Sequence, residues 1–418
     1  MEAINLQFIY QYLDNRIYLD HLSTTPCDPR VAEIMWPYMT THYGSPSAIV
    51  HSFGRAAGSA VDHSRQTIAR LLHAAEEEIV FTSGATESVN TALKSILPAA
   101  STARHHIITC ATEHSAVLEV CRELETKGCA VTILPVNHEG ALDLNQLRDA
   151  ITKETVMVAI MHANNETGVI HDVKSIGDIC RDAGVVFFCD ATQTVGKLPI
   201  DLQALNIDLL AFSGHKFYGP KGVGGLYINK KHRPFHVMPL LHGGGQEYGI
   251  RGGTLNVPGI VGMANALEFA VQDMVSHQEQ MDALVAAFEI SLLELGDVVI
   301  NGQQMNRLPG VSSISFRCLE GPPLLSKLNE LLCVSSGAAC SSATGKPSHV
   351  LVAMGLGDQQ AMATVRFSFG RFTSTDDFNK ALNHVISSIR QLREESMTWQ
   401  LFKKGNLERV PGWHHPAS

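Results

Sequence analysis

The sequence lacks an apolar run of the roughly 18 residues that a membrane-spanning helix needs. Its longest apolar stretch, GIVGMANALEFAV, is interrupted by Asn265 and Glu268. The amino terminus also lacks the basic start and the long apolar segment of a secretory signal, and its acidic residues argue against a transit peptide. From these absences we expect a globular protein with no membrane partner and a cytoplasmic location.

Paired cysteines and clustered positive charge are missing as well. The nine cysteines form no CxxC pair and no zinc-ligand spacing, and their odd number argues against a complete disulfide framework. We therefore expect no metal centre, and most of these thiols should be reduced and buried. The formal net charge is -9 and basic residues form no cluster, which disfavours direct binding of nucleic acid.

From about residue 79 the sequence alternates short apolar runs with amphipathic helical stretches. The apolar runs are EIVFT, HHIITC, AVTILPV, VMVAIMHA, VVFFCDA and IDLLAFSG. This order predicts an α/β fold with a mainly parallel sheet covered by helices on both faces. Ligands of such sheets bind beyond the carboxyl ends of the strands, so the segments after these runs are candidate sites.

The pattern changes at about residue 262, where a long helix, roughly residues 262–296, precedes shorter strands and helices. We predict a large α/β domain over residues 17–261 and a smaller α+β domain over residues 262–396, which also takes in residues 1–16. Residues 397–418 form a C-terminal tail. The end of this tail lacks periodicity and contains two prolines, so we expect it to be extended or mobile.

Two strand ends carry charged residues that suit a pyridoxal phosphate site. Lys216 follows the run IDLLAFSG, where a lysine is costly unless it is paired or forms a Schiff base with an aldehyde cofactor. Asp190 ends the run VFFCD, where a carboxylate can keep the ring nitrogen of pyridoxal phosphate protonated. The ordinary alternatives are a surface lysine for Lys216 and a turn or N-cap aspartate for Asp190.

The segment FTSGATESVNTAL places a turn of small residues before a helix. The backbone N–H groups of Gly84, Ala85 and Thr86, with the Thr86 hydroxyl, could cradle a phosphate at the positive end of the helix dipole. The alternative is an ordinary capping box that begins at Ser83 or Thr86.

Three further segments carry polar or glycine-rich motifs. His114 in CATEHSAV could lie over an aromatic ring or move protons, and Asn165 in MHANNETG could bond the cofactor's phenolic oxygen. A loop residue with local hydrogen bonds is the alternative for both. The segment HGGGQEYGIRGGT, with Arg251 and Thr254, suggests close approach of the backbone to an anion.

The segment SSGAACSSATGKPSH carries Cys340 among small and polar residues. The apolar segments LNELLCV and HVLVAMGL anchor its two ends. This composition predicts a mobile loop that could hold the thiol at a cofactor and then present it to an acceptor. A merely flexible surface linker is the alternative.

Seven motifs in one order give the chain its resemblance to a known family. They are TSGATES, TEHSAV, MHANNETG, DATQTVGKLPIDL, SGHKFYGPKGVGGLY, HGGGQEYGIRGGT and SSGAACSSATGKPSHVL. The chain resembles the cysteine desulfurases, which are class V aminotransferase relatives with pyridoxal phosphate fold type I. The likeness runs from about IYLDHLSTTP to RFSFGRFTS and is to the group with the longer catalytic loop, which serves nitrogenase and iron–sulfur cluster assembly.

The resemblance implies cofactor-binding roles for the matching residues. Lys216 resembles the family's Schiff-base lysine, Asp190 the partner of the pyridine nitrogen and His114 the ring-stacking histidine. Two side chains are implied to contact the phenolic oxygen: Gln193 and Asn165. The groups assigned to the phosphate are in the following residues: Gly84, Ala85, Thr86, Ser213 and His215.

Substrate, partners and reaction are implied in the same way. Arg366 resembles the arginine that holds the carboxylate of L-cysteine, and Thr254 the residue that reaches the neighbouring subunit's cofactor, which requires a homodimer. Lys216 or His114 removes the α-proton, and the Cys340 thiolate takes the sulfur as a persulfide, so that alanine and a sulfur-carrying enzyme remain. A sulfur-acceptor protein then receives the sulfur. The alternatives are another aminotransferase, a selenocysteine lyase and an inactive acceptor-binding scaffold.

Two positions depart from the family's pattern. The chain has Ser23 in LSTTP where the family usually reads ATTP, and Ser45 in GSPS where it usually reads GNPS. Ser45, which the resemblance places near the substrate, can donate one hydrogen bond but cannot span the distance of an asparagine. We therefore expect substrate affinity or rate to differ, with the reaction type unchanged.

Overall fold

The structure is a computed structural model and describes residues 16–96, 106–230, 235–336, 346–405 and 413. In chain order, its strands are β1 (Ile17–Tyr18), β2 (Ile79–Thr82), β3 (His106–Cys110), β4 (Ala130–Leu134), β5 (Thr155–Ala159), β6 (Val186–Asp190), β7 (Leu209–Ser213), β8 (Gly224–Ile228), β9 (Val298–Ile300), β10 (Val311–Phe316), β11 (Leu332–Cys333), β12 (Ser335–Ser336) and β13 (Thr364–Ser368). Its α-helices are Pro29–Thr40, Ser52–Leu71, Ala85–Lys94, Ser115–Thr126, Leu144–Ala150, Val173–Ala183, Val257–Gln272, Met274–Leu293, Gly321–Leu328, His349–Ala353, Asp358–Met362, Thr375–Glu395 and Met397–Lys403. None of these helices is long and apolar enough to cross a membrane.

The chain divides into two units by its internal contacts. The larger unit takes residues 22–278 and 304–308, and the smaller takes residues 1–21, 279–303 and 309–418. The division after residue 278 differs from the predicted boundary after residue 261. The reason is that the helix Val257–Gln272 packs against two helices that precede the sheet, so it belongs with the larger unit.

The larger unit contains a seven-stranded sheet in the order β2-β8-β7-β6-β5-β3-β4. All neighbouring strands are parallel except for the two pairs that include β8. The predicted mainly parallel α/β sheet is confirmed, and the six predicted apolar runs correspond to β2 through β7. Sequence patterns do not predict β8, because GVGGLYI begins with glycines that look like part of a turn.

Every residue of β6, β7 and β8 is buried. Alternate side chains of a strand point to opposite sides of the sheet, so these strands are covered on both faces. In β6, Phe187 and Cys189 join one apolar core with five of the helices, while Val186 and Phe188 join the other core with helices Ala85–Lys94 and Ser115–Thr126. A strand that is buried on both faces reads as a continuous apolar run, which explains why the central strands could be found from sequence.

The strand directions bring several predicted site segments to one edge of the sheet. Strands β3, β5, β6 and β7 are parallel, and β2 points the same way because β8 is antiparallel to both of its neighbours. The segments that follow β2, β3, β5, β6 and β7 therefore leave the sheet at the same edge. These segments carry Gly84, His114, Asn165 and Lys216, and Asp190 is the last residue of β6 at the same edge.

The smaller unit contains an antiparallel sheet in the order β12-β13-β10-β9 and a parallel pair, β1 with β11. Its apolar core includes Phe288, whose ring lies 4.9 Å from that of Phe367 and 5.3 Å from that of Phe369 between centroids. The predicted α+β character is present in this unit. Arg366 lies on β13, fully within the sheet.

Two segments differ from the sequence expectation. The predicted long helix over residues 262–296 is two helices that meet at Asp273. Asp273 is the C-cap of the first helix, and its backbone leaves the helical conformation at φ -94° and ψ 4°. Beyond residue 396 the chain forms the helix Met397–Lys403 where we expected a tail. Its first turn is capped by the Ser396 hydroxyl, and Trp413 is buried beside Cys318.

Candidate active site

Lys216 ends a short 3-10 helix, Gly214–Lys216, that directly follows β7. Its Nζ donates hydrogen bonds of 2.6 Å to the carbonyl of Leu22 and 2.8 Å to the carbonyl of Ser23. The side chain is half-buried. Lys216 is therefore held at the edge of the sheet by two backbone acceptors and is not a solvated surface lysine.

Asp190 is the last residue of β6 and is 7% exposed. Its Oδ1 accepts a hydrogen bond from the N–H of Thr192 at 2.9 Å, and its carbonyl accepts one from the N–H of His162 at 3.0 Å. The carboxylate therefore supports the turn that follows it, as the alternative interpretation expects. This role leaves it buried at the end of a central strand, where it can also meet a cofactor.

Gln193 connects this turn to Lys216. The Gln193 Nε2 donates to the Leu22 carbonyl at 3.0 Å, which is one of the two carbonyls that hold Lys216. The Gln193 Oε1 accepts from Lys197 Nζ at 3.0 Å. The ends of β6 and β7 thus meet at one backbone oxygen, and the side chains of Gln193 and Lys216 lie close together there.

The turn between β2 and the helix Ala85–Lys94 has the geometry of an anion site. Gly84 has φ 155°, which favours glycine, and no side chain caps the first turn of the helix. The predicted alternative of a capping box is therefore wrong, because the Ser83 N–H bonds to Glu87 while neither Ser83 nor Thr86 caps the helix. The Gly84 N–H donates to the Thr82 hydroxyl at 3.3 Å. The first N–H groups of an α-helix have no partner within the helix, so those of Ala85 and Thr86 are the ones best suited to an anion.

Ser213 completes this turn, which we call the phosphate cradle and define as residues 83–87 together with Ser213. A Cβ placed on Gly84 would lie 3.6 Å from the Ser213 Oγ, so the buried hydroxyl stands beside the start of the helix. A Cβ on Gly224 would lie 2.6 Å from the Gly84 Cα, which excludes any larger residue there. The Thr86 side chain is exposed at the same end.

His215 lies between the cradle segment and Lys216 and is half-buried. Its Nδ1 is 3.0 Å from the Thr24 Oγ1, and its carbonyl accepts from the Thr25 hydroxyl at 2.9 Å. Burial, together with the charges of Lys216 and two neighbouring lysines, lowers the pKa of His215 to about 4. The imidazole is therefore neutral near pH 7.

His114 is the N-cap of the helix Ser115–Thr126. Its Nδ1 accepts a hydrogen bond from the Ala116 N–H at 3.1 Å, so in the neutral ring the proton is on Nε2. This is the local loop role that we gave as the alternative. It also fixes the ring's orientation, which a stacking or proton-moving histidine requires.

For the remaining predicted residues the structure gives mainly their exposure and local contacts. Asn165 is half-buried in the turn that Asn164 stabilises, Ser45 is half-buried, and Thr254 is exposed at the end of the glycine-rich loop. In the smaller unit Arg366 is 2% exposed and its Nη2 donates to Asp20 at 2.6 Å. Cys340 lies outside the described residues.

Comparison with known proteins decides the family. The aminotransferase class-V family model matches residues 17–380. Cysteine desulfurase IscS of Rickettsia africae is 45% identical over 396 residues, which cover 94% of this chain and 96% of that protein. The chain belongs to the cysteine desulfurase family.

Solved structures agree with this membership of the cysteine desulfurase family. A NifS-like protein superposes with a TM-score of 0.84 at 36% identity, over 90% of this chain and 100% of that one. The structure described as SspA in complex with cysteine superposes with a TM-score of 0.75 at 35% identity, over 84% of this chain and 98% of that one. The fold predicted from sequence is therefore that of the family.

Pyridoxal phosphate is the cofactor of the cysteine desulfurases, and the residues at this edge of the sheet fit it. The uncapped helix start and the Ser213 hydroxyl match a phosphate group. The buried carboxylate of Asp190 matches a protonated ring nitrogen. Lys216, held at the end of the next strand, offers the primary amine that an aldehyde needs.

One titratable residue of this region was not predicted from the sequence. Glu113 is fully buried, and its Oε1 accepts the N–H of Met161 at 2.6 Å. Burial raises the pKa of Glu113 well above its ordinary value, and the charge of Asp190 raises it further. The only sequence signal for Glu113 is its place between Thr112 and His114, just after β3. This place does not reveal that the side chain is buried.

A buried histidine pair behind Asp190 gives a testable dependence of stability on pH. Burial lowers the pKa of both His162 and His171 to about 4, so the folded protein keeps them neutral where the unfolded chain protonates them. Stability should therefore fall as pH falls from about 6.5 towards 4. We expect the free energy of unfolding of His171→Gln to fall less steeply than that of the parent protein between pH 7 and 5. The difference in slope should be roughly 1 kcal/mol per pH unit, measured by urea unfolding.

The control for this prediction is His138→Gln, which removes a surface histidine. It should leave the pH dependence of the free energy of unfolding unchanged. Equal pH dependence in His171→Gln and the parent protein would contradict the prediction.

Proposed function

We propose that this protein is a pyridoxal-phosphate-dependent cysteine desulfurase that converts L-cysteine to L-alanine and carries the sulfur as a persulfide on Cys340. The observation that carries the proposal is the arrangement at one sheet edge of the phosphate cradle, the buried Asp190 and the Lys216 amine. A sulfur-acceptor protein receives the sulfur from Cys340. The choice of substrate is supported by a relative named cysteine desulfurase and by a similar structure described as a complex with cysteine.

Bound pyridoxal phosphate supplies an electron sink that makes the α-proton of an amino acid removable. Lys216 would hold the cofactor's aldehyde through its Nζ, and the same amine would serve as the base that accepts the substrate's α-proton. Asp190 holds a proton on the ring nitrogen, and the cradle N–H groups with Ser213 bind the phosphate. Gln193 and Asn165 bind the phenolic oxygen and so fix the plane of the ring.

His114 and His215 differ in their proposed roles although both are half-buried. The N-cap bond of His114 holds its ring with the proton on Nε2, which suits stacking over the cofactor and proton exchange at that atom. His215 is neutral because of its low pKa of about 4, so it binds the phosphate as a hydrogen-bond donor without adding charge. Thr86 adds a hydroxyl at the same helix start.

Arg366 and Ser45 are the proposed contacts of the substrate. The guanidinium of Arg366 is a planar fork that suits the carboxylate of L-cysteine, and its Nη2 already donates one bond to the carboxylate of Asp20 at 2.6 Å. Ser45 donates one hydrogen bond near the substrate. The Cys340 thiolate then forms an S–S bond with the substrate's sulfur as the substrate's C–S bond breaks, and alanine is released after protonation.

A homodimer is part of the proposal, and an exposed apolar patch supports it. On the larger unit, Tyr43, Ile49 and Val50 are 69%, 70% and 87% exposed, and Phe53 and Tyr248 are about half exposed. A patch of this kind marks a contact surface, and its proposed occupant is a second copy of this chain. Thr254, exposed at the end of the adjoining loop, would reach the neighbouring subunit's cofactor phosphate. Sedimentation of the purified protein should give a dimer.

The deciding experiment gives the purified holoenzyme L-cysteine and a reductant and measures alanine and sulfide. Equal amounts of the two products support the proposal. Absence of alanine would overturn it, and transfer of the amino group to a keto acid would favour an aminotransferase. L-selenocysteine in a parallel reaction tests the selenocysteine lyase alternative, which a large preference for selenium would favour.

A further inference from the structure

The glycine-rich loop over residues 241–253 is a closed structure that precedes Thr254. The Gly252 N–H donates to the Leu241 carbonyl at 2.9 Å, and the Gly253 N–H donates to the Gln246 side chain at 3.0 Å. The two ends touch so closely that a Cβ on Gly252 would lie 2.5 Å from the Gly243 nitrogen. These contacts hold the two ends of the loop together and so fix the backbone position from which Thr254 follows.

A buried ion pair pins this loop to the edge strand of the sheet. Arg65 donates to the two carboxylate oxygens of Glu247 at 2.6 and 3.0 Å, and both side chains are almost fully buried. Glu247 also accepts the Phe81 N–H of β2 at 2.7 Å. The Arg65 guanidinium lies 4.5 Å from the centroid of the Phe81 ring. A buried bidentate pair of this kind holds a defined geometry.

The backbone at the tip of this loop has an unusual conformation beside the ion pair. Glu247 and Tyr248 have φ of 49° and 58°, in the left-handed region that residues with a Cβ rarely adopt. Two consecutive residues in this region persist only where surrounding contacts hold them. The bonds from Arg65 and from the Phe81 N–H are the contacts that hold Glu247 there.

A second ion pair joins the same loop to the phosphate cradle. Arg251 Nε donates to Glu87 Oε1 at 3.0 Å, and Glu87 Oε2 accepts the Ser83 N–H at 2.8 Å. The Glu87 side chain is 9% exposed and that of Arg251 is 22% exposed. Burial acts to raise the pKa of Glu87, but the bonds from Arg251 and Ser83 outweigh it and lower the pKa, so Glu87 is ionised.

We propose that Glu87 and Arg251 are positioning residues that join the phosphate cradle of one subunit to the loop that presents Thr254 to the neighbouring subunit's cofactor. This inference rests on the proposed function, because Thr254 has this role only in the dimeric enzyme. Since Glu87 lies in the first turn of the cradle helix and Arg251 lies three residues before Thr254, the pair sets the distance between the two sites. Each subunit's Arg251 therefore supports cofactor binding in the other subunit.

Mixed dimers test this directly because the lysine-bound cofactor absorbs visible light only where Lys216 is present. In the trans arrangement, a parent subunit pairs with a subunit that carries both Lys216→Ala and Arg251→Gln, so the observed site receives Thr254 from the altered loop. In the cis arrangement, an Arg251→Gln subunit pairs with a Lys216→Ala subunit, so the observed site receives Thr254 from an unaltered loop. The measurement is the Kd of pyridoxal phosphate from the visible band.

We expect the trans arrangement to raise this Kd by about tenfold over a parent/Lys216→Ala reference dimer. Thr254→Ala, placed in the same trans arrangement, should raise it similarly, and Arg251→Lys should recover part of the loss by restoring the charge. A rise in the cis arrangement alone would overturn the inference, since it would mean that Arg251 only supports the cradle of its own subunit. A rise for Thr254→Ala in trans without one for Arg251→Gln would also overturn it.

The reference dimer distinguishes failure of this inference from failure of the proposed function. If it forms and shows the visible band, the dimer and the cofactor chemistry stand, and a negative trans result removes only the role of Glu87 and Arg251. If the purified chain is monomeric, or if the band is absent with Lys216 intact, the proposed function fails and this inference fails with it.

Discussion

Lys216→Ala is expected to lower the rate of alanine formation by roughly 10²- to 10⁴-fold, the range that the loss of a positioned general base produces. The same change removes the covalent anchor, so the visible band of the lysine-bound cofactor should disappear. The physical reason is that Nζ is held at the sheet edge by the carbonyls of Leu22 and Ser23, and alanine offers no amine there. Absorbance spectra and alanine assays on the purified variant measure both effects.

Lys221→Ala is the matched control for this prediction. Lys221 stands in the same segment, SGHKFYGPKG, but it is exposed. Its removal should leave the visible band and the rate of alanine formation near those of the parent protein. If Lys221→Ala loses the band while Lys216→Ala retains it, the assignment of the Schiff-base lysine is wrong.

The part of the site that sequence could predict depends on one rule of sheet geometry. Parallel strands end at one edge, so Asp190 at the end of β6 and Ser213 and Lys216 at the end of β7 had to come near each other once the strands were recognised. The strands were recognisable because both faces are buried and each run is apolar throughout. The turn at Gly84 followed from the same rule, since β2 points the same way as β7.

Other contacts of the site left no pattern in the sequence. The carbonyls of Leu22 and Ser23 hold Lys216 through backbone atoms, which every residue type supplies alike. The pair Glu87 and Arg251 is separated by 164 positions along the chain, and no local spacing relates the two residues. Glu113 reads as an ordinary acidic residue, because only the fold reveals that it is buried.

Boundaries of elements were also less predictable than their existence. The long helical pattern over residues 262–296 continues without a proline or a run of glycines, so its division at Asp273 has no strong sequence signal. The helix Met397–Lys403 is short, and a seven-residue helix depends on its contacts rather than on its own propensity. One such contact places the Arg393 guanidinium 4.1 Å from the centroid of the Trp399 ring.

Cys340→Ser is expected to keep the visible band of the lysine-bound cofactor and to lose sulfide and alanine formation by roughly 10³-fold or more. A serine hydroxyl fits the same space, but it is far less ionised than a thiol and cannot carry sulfur as a persulfide. The cofactor sites at Lys216, Asp190 and the phosphate cradle are unchanged, so binding of pyridoxal phosphate and of L-cysteine should persist. Spectra with L-cysteine separate binding from sulfur transfer.

Cys333→Ser is the control, because Cys333 is the nearest described cysteine before Cys340 and its thiol is only half-buried. This variant should release sulfide at the parent rate. If Cys340→Ser releases sulfide at the parent rate while Cys333→Ser does not, the persulfide forms on Cys333 and the carrier is misassigned. If neither substitution reduces sulfide release, Cys27 is the other partly exposed thiol among the described residues and is the next one to replace. Alkylation of the enzyme after one turnover, followed by peptide mapping, would locate the persulfide and decide among the three.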